Sequence, residues 1–280
     1  MHLTVLICDA FPPSNQTQQF NKLMGTQDFQ NMVASRHLKA DKALTVAAII
    51  PCLNEENAIG AVVTGVRAAG IEHIIVVDGG STDDTAKIAA AAGAQVVVER
   101  RRGYGRAIMS GIAALSSDID TVLFIDGDGS DRTEMIPAVL EPLCNGSADF
   151  VHGSRSKGPR ETGSLSFTQL LAGHLAGLLM RVAYGIRYSD MSPFRAIRRS
   201  KLDTLGMAEE SFGWNLEMQM RAAASGLRIE EVAVGQRRRV GGVSKVSGDL
   251  TVAVRAAYVI VATFLRLARQ LRRKDQANRR

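Results

Sequence analysis

The sequence predicts an α/β domain built on a mostly parallel sheet with helices on both faces. Short β-branched runs alternate with single helical stretches from residue 44 onward, and the runs are apolar throughout rather than at every second position. Each run is also followed directly by polar, glycine-bearing residues, and open parallel sheets bind ligands at the carboxyl ends of their strands.

The first strand is placed at Leu44–Ile50 and runs into Pro51-Cys52-Leu53-Asn54-Glu55-Glu56, ahead of a helix over 58–69. The second, His73–Val77, ends in Asp78-Gly79-Gly80-Ser81-Thr82-Asp83-Asp84-Thr85. Ser81-Thr82-Asp83 is a strong N-cap sequence for the helix over 83–92. Asp78 is less easily explained by capping, and a carboxylate at a strand end suits hydrogen bonding to a base or ribose. The third strand, Ala94–Val98, leads through Arg100-Arg101-Arg102-Gly103-Tyr104-Gly105-Arg106 into a helix over 105–115. The fourth, Thr121–Ile125, ends in Asp126-Gly127-Asp128-Gly129-Ser130-Asp131 before a helix over 132–143. The fifth, Asp149–His152, leads to Gly153-Ser154-Arg155. Each crossover is expected to be right-handed.

Asp126 and Asp128 carry the most specific chemistry. If the strand stays extended, carboxylates two residues apart project from the same side. They repel each other unless a cation neutralises them. Mg²⁺ or Mn²⁺ does so with few protein ligands, completing its shell from substrate phosphate oxygens. Gly127 and Gly129 let the chain turn and a ligand approach. The plain alternative is an Asp/Gly loop that only turns the chain. An EF-hand fails on spacing, since Asp131 stands where Gly is needed and Pro137 where Glu is needed. A haloacid-dehalogenase-type phosphatase also uses Asp-x-Asp, though on its first strand, and stays a weak alternative. A dinucleotide fingerprint at Gly103-Tyr104-Gly105 lacks its third small residue, because Ile108 occupies that place.

With 280 residues and 46% hydrophobic content, the chain can bury one large core, and 22% charged residues argue against wholesale disorder. The net charge of +6 favours anionic partners, with much of the excess after residue 235. Aromatic residues make up 5% and no recognition motif appears, which disfavours nucleic acid. Cys8, Cys52 and Cys144 are widely separated, which fits a reduced cytoplasmic compartment. Residues 1–43 read as a polar, turn-prone extension without a signal peptide, 44–249 as the catalytic domain, and 250–280 as a helix and basic tail. No run reaches the ~18 apolar residues of a membrane span.

Taken together, Pro51-x-x-Asn54-Glu55-Glu56, Val77-Asp78-Gly79-Gly80-Ser81-Thr82-Asp83, Gly103-Tyr104-Gly105 and Asp126-Gly127-Asp128 resemble the ordered signature of family 2 glycosyltransferases. The similarity continues through Gly153-Ser154-Arg155, Asp190-Met191-Ser192-Pro193-Phe194-Arg195, Trp214-Asn215-Leu216-Glu217-Met218 and Gly241-Gly242-Val243-Ser244-Lys245. These segments are similar to those of dolichyl-phosphate mannose and glucose synthases, over roughly residues 45–248. The resemblance implies a GT-A fold, the Rossmann-like fold of nucleotide-diphospho-sugar transferases.

It also implies roles. Pro51, Asn54, Glu55 and Asp78, with Gly105, would hold the nucleotide-sugar donor. Asp126 and Asp128 would bind Mg²⁺ or Mn²⁺ against the diphosphate. Arg155, Arg195, Arg239 and Lys245 would contact the diphosphate or an acceptor phosphate. Ser130 stands where the synthases usually have Gln, Asp131 replaces His, and Pro193 replaces a common Gly, so the sugar is not transferred with the motif.

The acceptor class turns on the need for a base. A lipid phosphate monoester, with its second pKa at about 6, is largely dianionic at neutral pH and attacks unaided. A hydroxyl acceptor on a glycolipid, polysaccharide or small molecule needs a carboxylate, for which Asp190 and Glu217 are the candidates. Their plainer role is pairing with Arg195 or Arg221. Leu165–Ala183 is nearly all apolar apart from Gln169, His174, its glycines and Arg181, which suits a buried helix or one that dips into a membrane. In the tail, Arg255, Arg266, Arg269 and Arg273 fall on one helical face, with Ala253, Ile260, Phe264, Leu267 and Leu271 opposite. Such a helix binds a membrane interface or packs on its own domain. The leading expectation is a peripheral enzyme on the cytoplasmic face of a membrane, using a UDP- or GDP-sugar and a polyprenyl phosphate. A catalytically silent sugar-nucleotide sensor and a homo-oligomer stay open.

Overall fold

The computed structural model of the chain describes residues 44–240, 258 and 260–271. The extension 1–43, Lys245, residues 250–257 with Ala253 and Arg255, and the tail 272–280 with Arg273 lie outside the described residues.

Seven strands form one sheet: β1 (Val46–Cys52), β2 (His73–Asp78), β3 (Gln95–Val98), β4 (Thr121–Phe124), β5 (Phe150–Ser154), β6 (Arg195–Arg198) and β7 (Ile229–Ala233). Their order is β3-β2-β1-β4-β6-β5-β7. The five expected strands are all present, with ends moved by one or two residues. All run parallel except β6, which pairs antiparallel with both β4 and β5. β6 and β7 were not legible as strands. Arg195-Ala196-Ile197-Arg198 has two apolar residues between two arginines, and Ile229-Glu230-Glu231-Val232-Ala233 carries a carboxylate pair on an edge.

The helices are α1 (Ile59–Ala68), α2 (Thr85–Ala91), α3 (Tyr104–Ala113), α4 (Ile136–Cys144), α5 (Phe167–Tyr184), α6 (Arg199–Leu205) and α7 (Trp214–Ala224), with a further helical segment α8 over 260–271. All seven residues of β1 are buried, and they divide by the two-residue strand period. Ala48, Ile50 and Cys52 join a core with Ile59 and Val63 of α1 and Val139 and Leu140 of α4. Ala47 and Ile49 join the opposite core, with Ile108 of α3, Leu202 of α6 and Trp214 of α7. Trp214 is fully buried edge-on to Phe124, ring centroids 5.1 Å apart.

Pro51 lies inside a central strand, where a missing N–H is normally disruptive. The β1–β4 ladder ends at Ile49↔Phe124, two residues earlier, while β1–β2 pairing continues through Pro51↔Val77 and Cys52↔Asp78. The proline thus falls where β1 and β4 have already parted. β2 and β3 lie on one side of β1 and β4 on the other, so this parting is the topological switch point where such sheets bind ligands.

A third core joins α5, α7 and α8 through Ala176, Met180, Leu216, Met220, Phe264 and Leu267. This corrects the expectation that the apolar face of the C-terminal helix meets lipid, because that face is occupied by the protein itself. Leu165–Ala183 becomes α5, entered through a capping box between Ser166 and Gln169 and closed by Gly185 at φ 71°. His174 is exposed and bonds the carbonyl of Leu170 four residues earlier (2.8 Å), so it is a surface residue of the helix and not the packed polar residue expected. Among the described residues no helix is long and apolar enough to cross a membrane.

Candidate active site

The loops after β1 and β2 are bolted together. Asn54 adopts the left-handed conformation (φ 56°), tolerated because its short polar side chain can bond locally. Its N–H donates to Ser81 Oγ (2.9 Å) and its Oδ1 accepts from the Thr82 N–H (2.9 Å). The Glu55 N–H donates to Thr85 Oγ1 (2.8 Å). Asp78 is 4% exposed and accepts the Ser81 N–H at 3.1 and 3.2 Å, together with the Ser81 hydroxyl. The turn thus uses Asp78 more than its sequence position suggests.

After β4 the chain turns at once, so Asp126 and Asp128 are not consecutive same-side residues of an extended strand. They meet different partners. Asp126 Oδ1 accepts from the Tyr104 hydroxyl (3.2 Å), and its N–H donates to Asp131 Oδ2 (3.0 Å). Asp128 Oδ1 accepts the Ser130 N–H (2.8 Å), and its Oδ2 lies 2.8 Å from Arg239 Nε. Enclosure, then the charges of Asp128 and Asp131, push the Asp126 carboxyl well above its ordinary range. Burial raises Asp131 to about 7 against the pull of its hydrogen bond from Asp126.

The loop before α7 closes the edge of this pocket. A side chain on Gly105 would meet the Glu209 carbonyl at 2.0 Å, and one on Gly103 would meet that of Glu210 at 2.3 Å. Close backbone packing by itself therefore requires glycine at position 105. The Arg106 N–H donates to Glu210 O (3.1 Å), and the exposed ring of Phe212 stacks on Tyr104 (6.2 Å).

Further along the edge, Arg155 Nε and Nη2 each lie 2.7 Å from an oxygen of Asp190. Asp190 also accepts the N–H groups of Arg155 (3.0 Å) and Met191 (2.7 Å), which fills its four acceptor positions. Burial alone would raise this carboxyl, but the charge and hydrogen bonds of Arg155 hold it at about 2. Glu217 is engaged likewise: Oε1 with Arg221 Nε (2.8 Å), Oε2 with the N–H groups of Ala208 (3.0 Å) and Glu209 (2.7 Å). Arg195 is fully buried, its donors on the carbonyls of Ser192 and Asn215 (3.0 Å to the latter). Burial lowers its guanidinium to about 10. Glu217 pairs with Arg221, as its plainer reading has it, whereas Asp190 pairs with Arg155 rather than with Arg195, and Arg195 is spent on interior carbonyls.

Residues 47–206 match the family described as Glycosyl transferase family 2. The chain belongs to that family. This glycosyltransferase is 39% identical over 213 residues to an uncharacterised glycosyltransferase of Mycobacterium tuberculosis, covering 75% of this chain and 93% of that one. It is 30% identical over 219 residues to an undecaprenyl-phosphate mannosyltransferase of Micrococcus luteus, covering 74% and 89%. Its fold superposes on glucosyl-3-phosphoglycerate synthase of Mycobacterium tuberculosis, solved with Mn²⁺, UDP-glucose and phosphoglyceric acid, with a TM-score of 0.65. The match is 27% identical and covers 81% of each chain. The fold is accordingly GT-A, and the phosphatase and dinucleotide readings fall away.

The acidic pocket of the glycosyltransferase fits a divalent cation. Asp126, Asp128 and Asp131 crowd one loop, repulsion and burial raise two of them, and the buried Asp131 Oδ1 has no hydrogen-bond partner among the described residues. Among the described residues no three or more His, Cys, Asp or Glu side chains form a closed cage. An open site completed by substrate oxygens needs none. Tyr104 and Gln236 also touch the acidic loop, through Asp126 and Ser130, and no motif marks them for that contact. Tyr104 was signalled only by its place between two glycines, and Gln236, bonded to Ser130 Oγ (3.2 Å), by nothing local.

Proposed function

We propose that this glycosyltransferase moves a sugar from a UDP- or GDP-linked donor to a polyprenyl phosphate, with inversion at the anomeric carbon. The observation that carries the acceptor class is the engagement of Asp190 and Glu217. Both carboxylates that the sequence offers as bases for a hydroxyl are held in buried ion pairs. A phosphate dianion needs no such base. Its oxygen bonds to the anomeric carbon as the bond from that carbon to the diphosphate breaks, and the diphosphate leaves with the electron pair. The name of the Micrococcus luteus relative supports the same acceptor.

In this reading the loops joined through Asn54, Glu55 and Asp78 hold the nucleoside at the switch point. Asp126 and Asp128 hold Mg²⁺ or Mn²⁺, which supplies charge stabilisation for the departing diphosphate. Arg239, and Lys245 beyond the described residues, add cationic donors to that oxyanion. Arg155, locked on Asp190, lies close enough to the acidic loop for its charge to pull the Asp131 carboxyl down. The enzyme works as a peripheral protein on the cytoplasmic face, its lipid contact being the outer face of α5. Leu171, Leu178 and Val182 are exposed there beside Arg181, and α5 contains no acidic residue, which suits an anionic lipid surface.

The test is product analysis with UDP- and GDP-sugars, Mn²⁺, and matched polyprenyl phosphate and polyprenol acceptors. Sugar transfer to the phosphate alone is expected. Transfer to hydroxyl acceptors with none to the phosphate would overturn the reading.

A further inference from the structure

Arg239 is held in a way that its neighbours are not. On either side of it the backbone is pinned to the Asp128 loop: the Arg237 N–H donates to Ser130 O (2.9 Å) and the Val240 N–H to Asp128 O (3.2 Å). Val240 packs on Gly129, where a side chain would meet it at 2.9 Å, and the positive φ of that glycine (74°) forms the turn beneath. Between these anchors the guanidinium reaches Asp128 Oδ2 through Nε at 2.8 Å, with Nη1 3.9 Å from Glu55 Oε1. The Arg239 side chain is 38% exposed, whereas that of Asp128 is 4% exposed. The main chain is thus fixed, while the charged group is on the solvent side and can swing.

A guanidinium and a divalent cation compete for one carboxylate, because two positive charges a few ångströms apart repel strongly. We infer that Arg239 is an internal counter-cation for Asp128, which a divalent cation displaces and which then turns to the nucleoside diphosphate. This rests on the reading of Asp126 and Asp128 as metal ligands. Metal alone must expel Arg239 with nothing for it to bind, whereas metal with a diphosphate gives the guanidinium an anion that its planar fork matches. Metal and nucleotide then bind cooperatively, and Arg239 is the positioning residue that couples them.

The experiment is a titration of the full chain with Mn²⁺, free ion followed by electron paramagnetic resonance, with and without UDP or GDP. Arg239→Gln should bind Mn²⁺ alone about fivefold or more tightly than the parent, and nucleotide should strengthen Mn²⁺ binding less in the variant. Arg239→Lys, a cation without the fork, should stay closer to the parent in Mn²⁺ alone but lose part of the nucleotide effect. Unchanged or weaker Mn²⁺ binding by Arg239→Gln without nucleotide would overturn the inference. Asp128→Asn separates the two failures. It should abolish the Mn²⁺ site, and if it binds as the parent does, the metal reading itself is wrong.

Discussion

Arg155 and Asp190 lie 35 residues apart in sequence and meet through two parallel 2.7 Å hydrogen bonds, each residue under a tenth exposed. Removing one partner strands the other charge in a nearly dry site. Asp190→Asn is therefore expected to destabilise the fold by about 3–5 kcal/mol, read from urea denaturation. A variant of parental stability that has lost only turnover would restore Asp190 as a catalytic base.

Gly105 is constrained by backbone, with no flexible atom in the way. Gly105→Ala places a methyl 2.0 Å from the Glu209 carbonyl, so either α3 or the loop before α7 must shift. A loss of about 1–3 kcal/mol is expected, together with weaker donor binding as Tyr104 moves from Asp126. Parental melting and donor affinity would refute this.

His152 is buried with its Nε2–H on the Asp190 carbonyl (2.8 Å). Burial, then the charge of Arg195, lowers it from 6.5 to about 4. Between those values the unfolded chain takes up a proton that the folded chain refuses. This contribution to stability is complete above pH 6.5 and falls by about 1.4 kcal/mol per unit down to pH 4. Asp126 and Asp131, raised, act in the opposite sense, so the diagnostic is the difference between parent and His152→Asn. That difference in urea stability should change between pH 7 and pH 5, and a constant difference would contradict the assignment.

Phe264 anchors α8 with 6% exposure, its ring 6.5 Å from that of Tyr184. Phe264→Ala should lower stability by about 3 kcal/mol. In contrast, Leu178→Glu with Val182→Glu should leave melting unchanged and weaken sedimentation with anionic vesicles. Unaltered vesicle binding by the double variant would remove α5 as the lipid contact.

The parallel half of the fold was legible because its strands are apolar on both faces and end in polar loops, as Val122-Leu123-Phe124-Ile125 before Asp126 shows. β6 was not, since Arg195 and Arg198 hide a strand that is stabilised by neighbours on both sides. The motifs located the pocket, but they could not distinguish residues that face a ligand from residues that hold the pocket together. Asp190 and Gly105 are engaged by partners distant in sequence, Arg155 and Glu209, whereas Glu217 meets Arg221 one helical turn on. The amphipathic pattern of α8 is legible over Ile260, Phe264, Leu267 and Leu271, yet a helical wheel does not say which surface covers its apolar side.

The reversed strand also bears on when the protein becomes complete during synthesis. β4 and β5 are not neighbours, since β6 lies between them. β1 to β4 can zip together as soon as the first eighty or so residues after Thr45 emerge, because each new strand finds its partner already made. β5 has no place in that sheet until Arg195–Arg198 arrives more than forty residues later. The joined loops after β1 and β2 can therefore form on a nascent chain well before Arg155 has a fixed position, and domains that close late expose unpaired strands meanwhile. Pausing of translation before β6 would leave a half-sheet that offers β4 to whatever strand comes first.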